Sequence, residues 1–166
     1  MNYKLQKEKI VSQSDEYLKI GQEKGYFVLD GNKINYLAQG KKYNFLNPEE
    51  KVRAEYYFEL IEKYKYPAEK IFFDVEIGDR TADIVVYSGI NAPYIVIECK
   101  KDGISDIEFE QSAKQAVINA KVLKAPFAVI VAGNTRIAFE TEKWDIKTPE
   151  KAIIADIPVS YGKNKV

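Results

Sequence analysis

Ala82-Asp83-Ile84-Val85-Val86-Tyr87 and Tyr94-Ile95-Val96-Ile97-Glu98-Cys99-Lys100 are two apolar runs separated by Ser88 to Pro93, a stretch that holds Gly89 and Asn91. Apolar, β-branched runs flanking such a stretch read as the arms of one hairpin. With a symmetric turn centred between Ile90 and Asn91, Asp83 falls opposite Glu98. Directly opposed side chains on paired strands lie about 5 Å apart at Cβ, within reach of one divalent cation. Lys100 shares the face of Glu98, because strand side chains alternate with period two, and Cys99 points to the other face. Two acids and an amine beside an apolar sheet are costly unless paired or bound to metal. Asp83, Glu98 and Lys100 are therefore a candidate site. The competing reading is an ordinary Asp83–Lys100 ion pair with Glu98 ending a strand.

Outward from this hairpin, Ile71 to Ile77 reads as a strand leading through the Gly78-Asp79-Arg80 turn into Ala82 to Tyr87. Upstream, Asn47 is a good N-cap, Pro48 takes the first helical position, and Glu50 stands near a capping-box place. That helix is expected to run to Tyr66-Pro67, where proline stops it. Downstream, Ser105 with Glu108 opens a second helix that ends before Pro126. Phe127 to Ala132 is a continuous apolar run, expected as a buried strand parallel to its neighbour after the crossover helix. Arg136 to Glu140 is the antiparallel finish. The expected architecture is α/β: a mixed central sheet of three antiparallel strands, a crossover-connected strand and a final strand, flanked by helices. Residues 1–45 read as an N-terminal extension packed on the core, with a helix over 4–24 and a hairpin at Tyr26 to Leu37. Residues 46–142 are the core, and 143–166 a tail or linker with a short helix at Pro149 to Ala155.

A chain of 166 residues with 46% apolar and 30% charged residues suits one domain with a sizeable core. It contains no histidine, which excludes imidazole bases, serine–histidine triads and histidine metal ligands. A single cysteine excludes internal disulfides and multi-cysteine zinc sites. Catalysis is left to carboxylate, amine, hydroxyl and a hard cation such as Mg²⁺, which prefers oxygen ligands. Met1-Asn2-Tyr3-Lys4 leads into charged sequence and no apolar run approaches 20 residues, so a cytoplasmic protein without a membrane segment is expected. Basic and acidic residues balance at 25 each, so nucleic-acid binding would need a local patch.

The order helix, Asp-bearing hairpin, Glu-x-Lys, helix, strand resembles the PD-(D/E)xK nuclease superfamily across roughly residues 47 to 140. The closer likeness is to the N-terminal nuclease domain of type I restriction enzyme R subunits. It is carried by Pro48-Glu49-Glu50-Lys51-Val52-Arg53, Tyr66-Pro67, Ala82 to Tyr87, Ile97-Glu98-Cys99-Lys100 and Phe109-Glu110-Gln111. The resemblance implies a restriction-endonuclease-like fold and phosphodiester hydrolysis in DNA with Mg²⁺, for which Mn²⁺ can substitute. It implies metal ligation by Asp83, Glu98 and the backbone carbonyl of Cys99, with Lys100 orienting or deprotonating the attacking water or balancing charge. Gln111 matches a recurrent glutamine of the family, but Gln115 stands where a tyrosine commonly follows. A first-helix acid is implied at Glu50, with Glu55 as runner-up; Arg53 would bind phosphate, brace that acid or form a surface ion pair. Ala82 replaces the proline that names the superfamily. Lys101, Lys114, Lys121, Lys124 and Arg136 are candidate contacts to the DNA backbone. Motor, specificity and methyltransferase subunits or domains of a restriction–modification complex are the implied partners. The alternative is a catalytically inactive, nuclease-derived module for DNA binding or assembly.

Overall fold

Ile95, Ile97 and Cys99 are buried in one apolar cluster and Val96 in another, so the strand that carries them is covered on both faces. The computed structural model describes residues 15–162. Within it this strand, β6 (Ala92–Lys100), is third in a six-stranded sheet with β4 (Ile71–Ile77), β5 (Arg80–Ser88), β7 (Phe127–Ala132), β8 (Thr135–Glu140) and β9 (Ile153–Ile154). The order is β4-β5-β6-β7-β8-β9. Only β6 and β7 pair in parallel; helix α3 (Asp106–Leu123) makes the crossover between them. The α/β architecture with a mixed sheet is thus the one expected.

One face of the sheet packs against α2 (Pro48–Glu62) through Ala54, Tyr56, Tyr57 and Leu60. The other packs against α3 through Phe109, Ala113, Ala116, Val117 and Ala120. Small residues along α3 let it lie close to the sheet. The caps follow the sequence: Asn47 Oδ1 accepts from the Glu49 amide at 2.9 Å and Ser105 Oγ from the Glu108 amide at 3.1 Å. Helix α2 stops at Glu62 rather than at Tyr66; Lys65 takes a left-handed φ of 63° and turns the chain away.

The hairpin pairs as expected but for a different reason. Ser88 faces Ala92, so the turn holds Gly89, Ile90 and Asn91 and is centred on Ile90. A bulge then shifts the register between Val86 and Tyr87, leaving Tyr94 as the extra residue. Beyond it Val86 faces Ile95 and Ile84 faces Ile97, where the paired residues end; this offset is the one expected, although Asp83 and Glu98 are not themselves a ladder pair.

A second irregularity lies across β4 and β5. Ile71, Phe73, Ile84 and Val86 are buried on the α2 side, whereas Ile77 and Ala82, at the same parity, are buried on the α3 side. The faces exchange at Asp74 and Asp83. Pairing is regular up to Phe73–Ile84 and resumes at Val75–Ala82, skipping the Asp74–Asp83 rung. Asp74 has φ of 51°, a left-handed conformation that aspartate adopts more readily than bulkier residues.

A separate three-stranded antiparallel sheet, β1 (Phe27–Asp30), β2 (Lys33–Tyr36) and β3 (Lys41–Asn44), covers the outer side of α2's cluster. Phe27, Ile34 and Tyr36 are fully buried there with Tyr57 and Phe73. Helix α1 (Glu16–Glu23) precedes it; the part of the expected helix before residue 15 lies outside the described residues. Gly21 of α1 is in contact with the Phe27 ring, which a β-carbon would strike. Alanine is the better helix former by about 1 kcal/mol, yet Gly21→Ala is expected to destabilise by about 1–3 kcal/mol through overpacking. A lower urea midpoint checks this.

Residues 143–162, the described part of the expected tail or linker, fold onto the domain. The Pro149–Ala152 turn of 3-10 helix leads into β9, which pairs with β8. Tyr64 Oη donates to Asp156 at 2.7 Å and Tyr66 Oη to the Pro158 carbonyl. Tyr161 Oη donates to the Tyr87 carbonyl at 2.8 Å. Three tyrosines thereby tie the segment down, a use their spacing did not reveal. No helix among the described residues is long and apolar enough to cross a membrane.

Candidate active site

Asp83 leaves the strand alternation at the skipped rung, and its Oδ2 accepts the Cys99 backbone N–H at 2.7 Å. That bond pulls the carboxylate against β6 beside Glu98. The two carboxyl groups act on one another: the charge of Asp83 raises Glu98, and Glu98 in turn lowers Asp83. Glu98 is only 4% exposed, and its Oε2 is buried with no donor among the described residues. Burial, and then the charge of Asp83, push Glu98 up to about 9. Burial also raises Asp83, opposed by the Cys99 amide, by Arg53, by Glu98 and by Lys100. Lys100, half-buried at the end of β6, acts electrostatically on both acids. Its ammonium makes no ion pair within 4 Å among the described residues, so the simple Asp83–Lys100 pair is absent.

A cavity of about 240 Å³ opens beside Asp83 on the α2 side, lined by Glu49, Glu50, Arg53, Asp74, Asp83 and Cys99 and not by Glu98 or Lys100. Tyr43 and Asn47 complete its wall. Glu50 is buried and committed: it accepts from Tyr36 Oη at 2.6 Å and from Arg53 Nε and Nη2 at 3.1 and 2.7 Å. Arg53 is buried too, with Nη1 donating to Asp74 Oδ1 at 2.8 Å and to the Asp83 carbonyl at 3.3 Å. Burial works against its charge, but Glu50 and Asp74 more than offset that and raise its pKa. Arg53 thus braces acids. Glu49, half-buried at the start of α2, lines the cavity and acts on Glu98.

Glu55, the other first-helix candidate, is paired instead with Arg136 at 3.3 Å, and Arg136 is held by Glu59 at 2.6 Å. Arg136 therefore links β8 to α2. Gln111 is exposed on α3 and Gln115 half-buried there; neither lines the cavity. Cys99 is buried in the apolar cluster, and burial raises its thiol. Asp74 and Tyr43 are cavity residues that the sequence reading does not name. A signal for Asp74 existed. The symmetric-turn arithmetic that set Asp83 against Glu98, applied to the Gly78-Asp79 turn, sets Asp74 against Asp83.

Among the described residues, no three His, Cys, Asp or Glu side chains are gathered into a ready-made metal cage. The pair that is present nonetheless fits a hard cation. Two adjacent buried acids must share a proton or a positive charge, and the donorless oxygen of Glu98 is the kind of ligand that Mg²⁺ takes. This ion commonly keeps several waters and uses one or two carboxylates, so a fuller protein cage is not required.

A family model described as the type I restriction enzyme R protein N terminus matches residues 48–158, about two thirds of the chain. No curated protein matches it. The matched segment takes in α2, the six-stranded sheet, α3 and the acid pair, an arrangement consistent with a restriction-endonuclease-like fold. The chain belongs to the family of type I restriction enzyme R protein N-terminal domains.

Proposed function

We propose that this domain is a metal-dependent DNA endonuclease, the cleavage module of a type I restriction–modification system. The observation that carries the reading is the bond from the Cys99 amide that draws Asp83 against β6 next to Glu98, a buried acid whose Oε2 has no donor among the described residues. Asp83, Glu98 and the backbone carbonyl of Cys99 would hold Mg²⁺, with Mn²⁺ as a substitute. Such an ion polarises a phosphoryl oxygen, lowers the pKa of water and stabilises the leaving oxygen.

The residues of the chain supply the remainder. The Cys99 amide fixes Asp83 through its Oδ2, which keeps that carboxylate aimed at Glu98. Lys100 holds a positive charge where the attacking water and the scissile phosphate must meet, orienting or deprotonating the one and balancing charge on the other. Glu50 enters through Arg53, Glu49 adds a carboxylate to the cavity wall, and Gln111 is a contact for phosphate from α3. The substrate is DNA, reached in the cytoplasm together with motor, specificity and methyltransferase partners and without a membrane.

A Mn²⁺ titration by calorimetry tests the site directly. Binding that is present in the wild type and lost in Asp83→Ala and Glu98→Ala is the expected result. Unchanged binding in both variants removes the acid pair from the metal reading. Binding without any plasmid nicking in the presence of partner subunits would favour the inactive binding or assembly module.

A further inference from the structure

We infer that Arg53 is the positioning residue for Asp83, and that Tyr43 and Tyr36 of the small N-terminal sheet set it in place. The starting point is the missing Asp74–Asp83 rung between β4 and β5. A carbonyl left out of a ladder needs another donor, and the Asp83 carbonyl receives Arg53 Nη1 at 3.3 Å. The same nitrogen donates to Asp74 Oδ1 at 2.8 Å, so one guanidinium spans both strands where their own pairing stops. Arg53 replaces the absent rung.

Its remaining contacts leave little freedom. Nε and Nη2 engage Glu50 as a two-pronged pair, the geometry that guanidinium provides and ammonium does not. The cation lies 4.2 Å from the Tyr43 ring and 4.7 Å from that of Phe73. Each carboxylate that grips Arg53 is also held from the small sheet. Tyr43 Oη donates to Asp74 Oδ2 and Tyr36 Oη to Glu50 Oε2, both at 2.6 Å. Residues 27–45, which lie outside the matched segment 48–158, therefore supply two hydroxyls to the clamp. The small sheet is part of the active-site scaffold, and a domain cut back to the matched segment loses both hydroxyls and the Tyr43 ring over Arg53.

The inference rests on the nuclease reading only in taking Asp83 as the group to be placed, and its test is chosen to stand apart from that reading. The Cys99 amide proton donates to Asp83 Oδ2, so its exchange rate reports the position of Asp83 without metal or substrate. In the full chain, Arg53→Lys is expected to speed exchange at Cys99 by about tenfold or more relative to Val96 and Ile97 on the same strand. Tyr43→Phe, which removes one hydroxyl and keeps the ring, is expected to do the same to a smaller extent and serves if Arg53→Lys fails to fold. Mn²⁺ affinity is expected to fall about tenfold in Arg53→Lys. Wild-type exchange ratios at Cys99 in the folded variants would overturn the inference, as would a uniform rise along β6, which marks general loosening. A wild type that binds no Mn²⁺ would count against the nuclease reading, while the exchange ratio still decides the role of Arg53.

Discussion

Alanine at Asp83, Glu98 or Lys100 is expected to lower Mg²⁺-supported nicking of supercoiled plasmid by about 10²–10³-fold or more, the scale on which single groups that stabilise transition-state charge act. The three losses have different origins. Asp83→Ala removes one acid and also frees the Cys99 amide that it accepts from, so some loss of stability should accompany the loss of activity. Glu98→Ala removes the acid whose Oε2 has no donor, so its fold should be retained. Lys100→Ala removes a charge with no ion-pair partner among the described residues, and it should leave metal binding intact while lowering turnover. Because such groups act as a unit, the double variant Asp83→Ala/Glu98→Ala should be scarcely worse than either single one. Nicking that persists in all three single variants, or that proceeds equally in chelator, would remove this cluster from catalysis. The assay belongs with the partner subunits present, since cleavage by such modules is coupled to them in the proposed setting.

The hairpin and its acids were legible because strand alternation and turn residues are local signals. Even so, the register was reached with the turn centre misplaced. The true turn is centred on Ile90, and the extra residue Tyr94 restores the offset. The two departures cancel from Val86 to Ile84, where the paired residues end. What could not be read was the exchange of faces at Asp74 and Asp83, because it depends on a left-handed aspartate held by a buried arginine from another element. Period-two reasoning assumes an unbroken pleat. Glu50 looked like a capping residue because its spacing from Asn47 suits one; Tyr36 and Arg53 compete for its carboxylate and win. The C-terminal segment looked like a linker because Asp156 to Gly162 has little periodicity. Its anchors are the Tyr64 and Tyr66 hydroxyls at α2's exit and its own Tyr161 hydroxyl, which donates to the Tyr87 carbonyl of β5, contacts separated by more than seventy residues in sequence.

Glu98→Gln should make the metal-free protein more stable at pH 8, on the order of 2–4 kcal/mol, and should abolish nicking. The amide keeps the size of the side chain but has no charge to bury. The sign follows from linkage. The folded state holds Glu98 up to about 9 against an ordinary 4.5, so the unfolded chain releases this proton first. The stabilisation from the proton on Glu98 is complete below about pH 4.5 and is lost as pH rises through about 9. Wild-type stability in chelator should therefore decline across that window, the glutamine variant should lack this component, and the two curves should converge below pH 5. Adding Mg²⁺ at pH 8 should raise the wild-type Tm and leave the variant's unchanged, because a ligand stabilises only the state that binds it. Parallel curves from pH 5 to 9 would show that the folded protein does not hold Glu98 protonated, and the metal reading would lose its physical basis. If the curves diverge as expected, a buried acid beside a second acid is costly once ionised, and a cation between them offsets that cost.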